Sequence, residues 1–103
     1  MSHDGLTIEN PGGSIRISGD ALTGLVVAAS ELVDGARVRR PRRGLDVSVR
    51  DGRAHVAIEL VARYGVVLPE LGGAVQRSVT EALRAATGVE VAGVDVAIAE
   101  LDR

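Results

Sequence analysis

ELVARYGVVLPELGGAVQRSVTEALRAATGVEVAGVDVAIAEL, residues Glu59 to Leu101, reads as a strand, a helix and a second strand, and this unit decides the fold. Its first strand begins slightly earlier. Ala54, Val56, Ile58, Leu60 and Ala62 alternate with His55, Ala57, Glu59 and Arg63, the period of two expected where one face of a strand is buried. Pro69 suits the first helical position, because its ring fixes a helical φ and the N–H it lacks has no intrahelical partner there. Glu70 beside it favours the positive end of the helix dipole. Leu71, Val75, Val79, Ala82, Leu83 and Ala86 fall on one arc at the helical repeat, with Arg77, Glu81 and Arg84 opposite, so residues 69–87 form an amphipathic helix. Gly88 supplies the left-handed residue that ends many helices, and a β-branched run from Val89 to Ile98 opens the next strand. Apolar parity in that strand shifts from Val89 and Val91 to Val94, Val96 and Ile98, which calls for a β-bulge near Ala92 and Gly93.

Upstream, Ile15 and Ile17 alternate with Ser14, Arg16 and Ser18 as a short strand, and Asp20 opens a helix over residues 20–34. Leu22, Leu25, Val26, Ala29, Leu32 and Val33 share one arc of it, and Asp34 with Gly35 marks its end. Leu45, Val47 and Val49 then alternate with Asp46, Ser48 and Arg50, and Asp51-Gly52 is the dipeptide that favours a type I′ hairpin turn. The order is β-α-β-β-α-β. Two one-sided helices on one face of a four-stranded, mostly antiparallel sheet make a two-layer α+β sandwich. Residues 1–13 close on Pro11, Gly12 and Gly13 without apolar periodicity and are expected to be a flexible N-terminal arm, leaving 14–103 as a single domain.

Composition narrows the function. With 103 residues there is room for one core. Tyr64 is the only aromatic residue, so a sheet that stacks bases is not expected. All 12 basic residues are Arg, which excludes a Schiff-base lysine and the lysine of a phosphate-binding loop. There is no Cys, hence no disulfide, thiolate nucleophile or zinc ribbon. No apolar run reaches membrane-spanning length, and MSHDGLTIEN lacks a signal-peptide pattern, so a cytoplasmic location is expected.

The stretch YGVVLPELGGAVQRSVTEALRAATGVEVAGVDV resembles the characteristic segment of the alkaline-shock, or Gls-type, envelope stress response proteins. Its marks are a strand ending in Tyr64-Gly65, an apolar residue and Pro69, a helix carrying Val75, Gln76 and Val79, then Thr87-Gly88 and alternating Val. The resemblance implies a small non-enzymatic bacterial scaffold or adaptor without cofactors. It also implies protein partners, among them a small membrane anchor that would hold the chain at the membrane periphery, and self-assembly into homo-oligomers.

Charge is segregated along the chain. Arg37, Arg39, Arg40, Arg42 and Arg43 surround Pro41, a local +5 that leaves seven Arg against 14 acidic residues elsewhere. Such a segment can meet anions or an acidic protein patch, or simply stay solvated. The alternative to a scaffold is a nucleic-acid-binding module using these arginines on phosphates, although nucleic acid is not the expected partner. A second surface is the sheet face opposite the helices, where His55, Ala57, Glu59 and Ala97, with Val61, Asp95 and Ala99, give a flat strip of small side chains. His55 with Glu59 could be read as a general base or a metal ligand, and His3 with the terminal amine as a copper chelate. Neither has the accompanying groups, so no catalytic or metal residue is assigned. Gly72 and Gly73 read as close helix-to-sheet packing, and Tyr64 as a ring covering the core edge.

Overall fold

A computed structural model describes residues 5–42 and 44–103, in the order β1 (Leu6–Asn10), β2 (Gly13–Ile17), α1 (Gly19–Glu31), β3 (Ala36–Val38), β4 (Asp46–Arg50), β5 (Arg53–Arg63), α2 (Leu68–Thr87) and β6 (Glu90–Asp102). Strand β5 is central. Its N-terminal half pairs antiparallel with β4 and its C-terminal half antiparallel with β3, while β6 runs parallel to it over the whole length. The β5 residues that pair with β3 or β4 pair with β6 as well, so β3 and β4 lie end to end on one flank and β6 forms the other. The parallel pairing follows from α2, which carries the chain back along the sheet between the two strands.

One face of this sheet is covered. Ala54, Val56, Ile58 and Leu60 of β5 join Val47, Val94, Leu22, Val26, Val75, Val79 and Leu83 in a single buried core, so both helices lie on the same face, as the two apolar arcs require. The helices are tied to each other by Ser78, whose hydroxyl donates to the Ala29 carbonyl at 2.7 Å. Asp51 and Gly52 turn β4 into β5 with φ of 52° and 73°, the positive pair that a type I′ turn needs. Gly88 caps α2 in the left-handed region and donates its N–H to the Arg84 carbonyl at 2.8 Å.

The strand roster differs from the sequence reading in two places. Leu6–Asn10, assigned there to an arm without regular structure, is a strand that pairs with Gly13–Ile17 in a separate two-stranded sheet. Leu6 and Ile8 alternate with Thr7 and Glu9, and the Asn10 side chain accepts the Gly12 N–H across the turn at 3.0 Å. The fourth place in the main sheet goes to Ala36–Val38, three residues too short for a periodic signal inside an arginine run, with Val38 nonetheless fully buried.

Helix α1 ends at Glu31, three residues early. Leu32 becomes its C-cap and is 81% exposed, so it leaves the apolar arc. Ser18, not Asp20, caps the other end by accepting the Ala21 N–H at 3.1 Å. Helix α2 starts at Leu68, placing Pro69 second, and Ala86 at its far end is exposed.

Candidate functional site

The uncovered face of the sheet brings most of the sequence candidates together. On β5 it presents His55, Ala57, Glu59, Val61 and Arg63, flanked by Asp46 and Ser48 of β4, Arg37 of β3 and the outward residues of β6. The bulge expected near Ala92 is present: Ala54 pairs with Val91 and His55 with Gly93, which skips Ala92 and turns Asp95 and Ala97 outward. A second register shift skips Ala99 between the Leu60–Ile98 and Val61–Glu100 pairs. Ala99 is thus the unpaired residue of a bulge, exposed but out of register with the strip. A one-residue slip exchanges the two faces of a strand, so Glu100 and Asp102 come outward and Leu101 turns to the helix side.

This second bulge supplies two counter-ions of the arginine segment, Glu100 and Asp102. Arg39 bridges two carboxylates, with Nε 3.1 Å from Glu100 Oε2 and Nη1 3.2 Å from Glu59 Oε1. The hydrogen bonds it donates to Glu100 and then Glu59 raise the already high pKa of Arg39 further. Arg37 reaches Asp102 at 3.4 Å and Arg40 reaches Glu31 at 3.4 Å. The Glu31 carboxylate also accepts the backbone N–H of Val38 at 2.9 Å, tying α1 to β3. Three of the five arginines are thus spread over separate acidic partners. Arg42 is exposed, and Arg43, like His3, lies outside the described residues.

The sequence reading missed this because it compared charges along the chain, whereas the pairing runs across strands. The available signal was Glu100 and Asp102, whose place in the alternation requires the Ala99 slip.

Glu59 is half-buried rather than free. Besides Arg39, it carries Gly44, which sits at φ +76° so close that an added Cβ would approach the Glu59 carboxyl carbon to 2.7 Å. His55 Nε2 lies 3.1 Å from Asp95 Oδ2, not beside Glu59, and its ring lies across Gly93. Ala57 and Ala97 complete the face with small side chains. Val61 is buried although it faces outward, at the floor of a hollow of about 200 Å³ walled by Arg37, Arg63 and Asp102. Arg63 makes a two-pronged bond to Asp34, at 3.0 and 2.9 Å, and this hydrogen bonding, with the positive charge, holds the Asp34 carboxyl below its ordinary 3.8.

Two single-residue expectations change. Tyr64 is 57% exposed and is stacked under the Arg103 guanidinium, 4.9 Å from the ring centre, so it does not cover the core edge. Gly72 and Gly73 are not forced by close packing. A Cβ at Gly72 would only reach ordinary contact with Val96, and one at Gly73 would meet the Arg77 side chain of its own helix. Together they leave a hollow between α2 and β6.

The arrangement offers charged and small side chains on a flat surface. Among the described residues no cluster of three His, Cys, Asp or Glu side chains is placed to hold a metal ion. No helix among them is long and apolar enough to cross a membrane. Searches of curated proteins and of solved structures give no match. The alkaline shock protein 23 family, described as having a cell envelope-related function, matches residues 20–103, which span both helices and the whole main sheet. The chain belongs to this cell envelope-related family.

Proposed function

We propose that the protein is a non-enzymatic scaffold or adaptor of the bacterial envelope stress response, acting from the cytoplasm through protein contacts on the uncovered sheet face. The observation that carries this reading is the face itself. Ala57 and Ala97 form a low surface between cross-strand polar and charged pairs, and no helix or strand among the described residues lies over it. Such a surface admits a flat partner and sets its orientation by charge. The partners proposed for it are a small membrane anchor or another copy of the chain. The rival use of the arginine segment on nucleic acid is weakened by geometry, because Arg37, Arg39 and Arg40 already face carboxylates that phosphates would have to displace.

The test is capture of partners from native cells with the intact protein and with the Ala57→Glu/Ala97→Glu variant. Both substitutions place charge on the open face without entering the core. Loss of the same partners by a variant that remains folded, with the melting temperature lowered only by the repulsion from Asp46, Asp95 and Glu59 opposite, is the expected outcome. Full retention of every partner would move the contact elsewhere.

A further inference from the structure

The two flanks of the sheet are built differently. The β3/β4 flank consists of strands of 3 and 5 residues interrupted by the arginine segment, whereas β6 is a 13-residue edge without proline whose stretch from Gly93 to Ile98 runs unbroken between its two bulges. Short, broken edges resist pairing with other chains, and a long open one invites it. The free side of β6 can be identified. Gln76 donates its Nε2 proton to the Val94 carbonyl at 3.0 Å, so that carbonyl points away from β5. By alternation the N–H and C=O groups of Val94, Val96 and Ile98 all point to the free side. No other described strand pairs with them.

Beside this edge runs a groove. Its wall is α2, and two hollows lie along it. One of about 310 Å³ is lined by Leu68, Pro69, Gly72, Gly73, Val96 and Ile98. The other, of about 400 Å³, lies between Thr80 and Arg84 of α2 and Val89 to Val91. Gln76 lies between them along the helix. Glycines at 72 and 73 leave open the space that side chains would fill.

We propose that the open edge of β6 is a strand-addition site for an extended segment of a partner protein in which apolar side chains alternate with Lys or Arg. Alternate side chains of an added strand would enter the groove over Gly72 and Gly73. The remaining ones would fall on the other face, next to the β6 carboxylates of Glu90, Asp95, Glu100 and Asp102, whose side chains are 72, 76, 55 and 62% exposed. Their own side-chain partners lie inward, on β5, on β3 and just beyond it, so each carboxylate keeps its outer side for a cation on a new strand. The same row disfavours antiparallel pairing with β6 of a second copy, which would set carboxylates against carboxylates. Gln76 acts as a plug that yields the Val94 carbonyl to the incoming N–H.

This inference rests on the adaptor reading and supplies the chemistry of one partner segment. The probes are synthetic peptides titrated into the full chain at low salt: acetyl-(Val-Lys)4-amide, the same peptide N-methylated along one edge, and acetyl-(Val-Glu)4-amide. The Lys peptide is expected to bind at least tenfold more tightly than either control. Gly73→Gln, which fills the groove while replacing glycine by a better helix former, should abolish that preference without lowering the melting temperature. Asp95→Lys should shift it toward the Glu peptide.

Equal binding of the N-methylated and unmodified peptides, insensitivity to Gly73→Gln, or no binding of the Lys peptide would each overturn the proposal. So would a dimer that Gly73→Gln dissociates, since the edge would then belong to a second copy. None of these results touches the open sheet face, whose own test is the Ala57→Glu/Ala97→Glu variant.

Discussion

The two faces of β5 are written in alternate letters of one strand and have opposite physical characters. Ala54, Val56, Ile58, Leu60 and Ala62 are all but inaccessible and pack under two helices. His55, Glu59 and Arg63, one residue out of step, meet Asp95, Arg39 and Asp34 at the surface. The first face is held by removal of apolar area from water, worth about 25 cal/mol per Å² and not subject to ionic screening. The second is held by exposed polar and charged pairs, each weakened by solvent screening. The fold therefore depends on one face, and the other can vary with its partner.

Charge placed on the two sides of α2 breaks the comparison most sharply. Val79 is fully buried against the sheet, so Val79→Asp is expected to destabilise by roughly 3–5 kcal/mol, whereas Arg77→Ala on the solvent side stays within about 0.5 kcal/mol. Urea unfolding of both variants checks this, and equal midpoints would mean the helix faces the other way.

The covered side also holds one flaw. The Thr23 hydroxyl is buried without a hydrogen-bond partner among the described residues. Thr23→Val keeps the shape and removes the unpaired group, so unfolding should show a gain of about 1 kcal/mol. A loss of similar size would reveal a partner for the hydroxyl.

How much of this was legible in the sequence depends on the range of the interaction. Periodicity is local, so α2, the β4–β5 hairpin, the bulge near Ala92 and the common side of both helices could be read directly. Val38 could not, because a three-residue strand inside an arginine run has no measurable period. The site was half legible. His55, Ala57, Glu59 and Ala97 do share the open face. The partners of Arg37, Arg39 and Arg40 lie 61 to 65 positions away at β6, 20 away at Glu59 or 9 away at Glu31. The two on β6 come within reach only through the Ala99 slip and the parallel register, and Glu59 through the antiparallel β3–β5 pairing.

The smallest effect sharpens the comparison from the polar side. The folded-state pKa of Asp34 is depressed by Arg63, so its contribution is complete above the unfolded value of about 3.8 and fades as pH falls through the lower folded value. Both side chains are largely solvated, at 88 and 55% exposure, so the effect is slight. Asp34→Asn should flatten the acid limb of the stability profile below pH 3.8 and lower neutral stability by the same slight amount. An identical acid limb in both proteins would remove Asp34 from the linkage.

Hydrogen exchange on the protein bound to a partner captured from native cells tests most directly whether recognition uses the side of the molecule that the fold leaves open. Free, the amides of Val94, Val96 and Ile98 face away from β5 and should exchange quickly. With the partner bound, slowed exchange in β6 and at the open face of β5 is expected, with the amides of α1 unchanged. Slowing confined to the solvent side of α2 around Arg77, Glu81 and Arg84, with β6 exchanging as before, would contradict it.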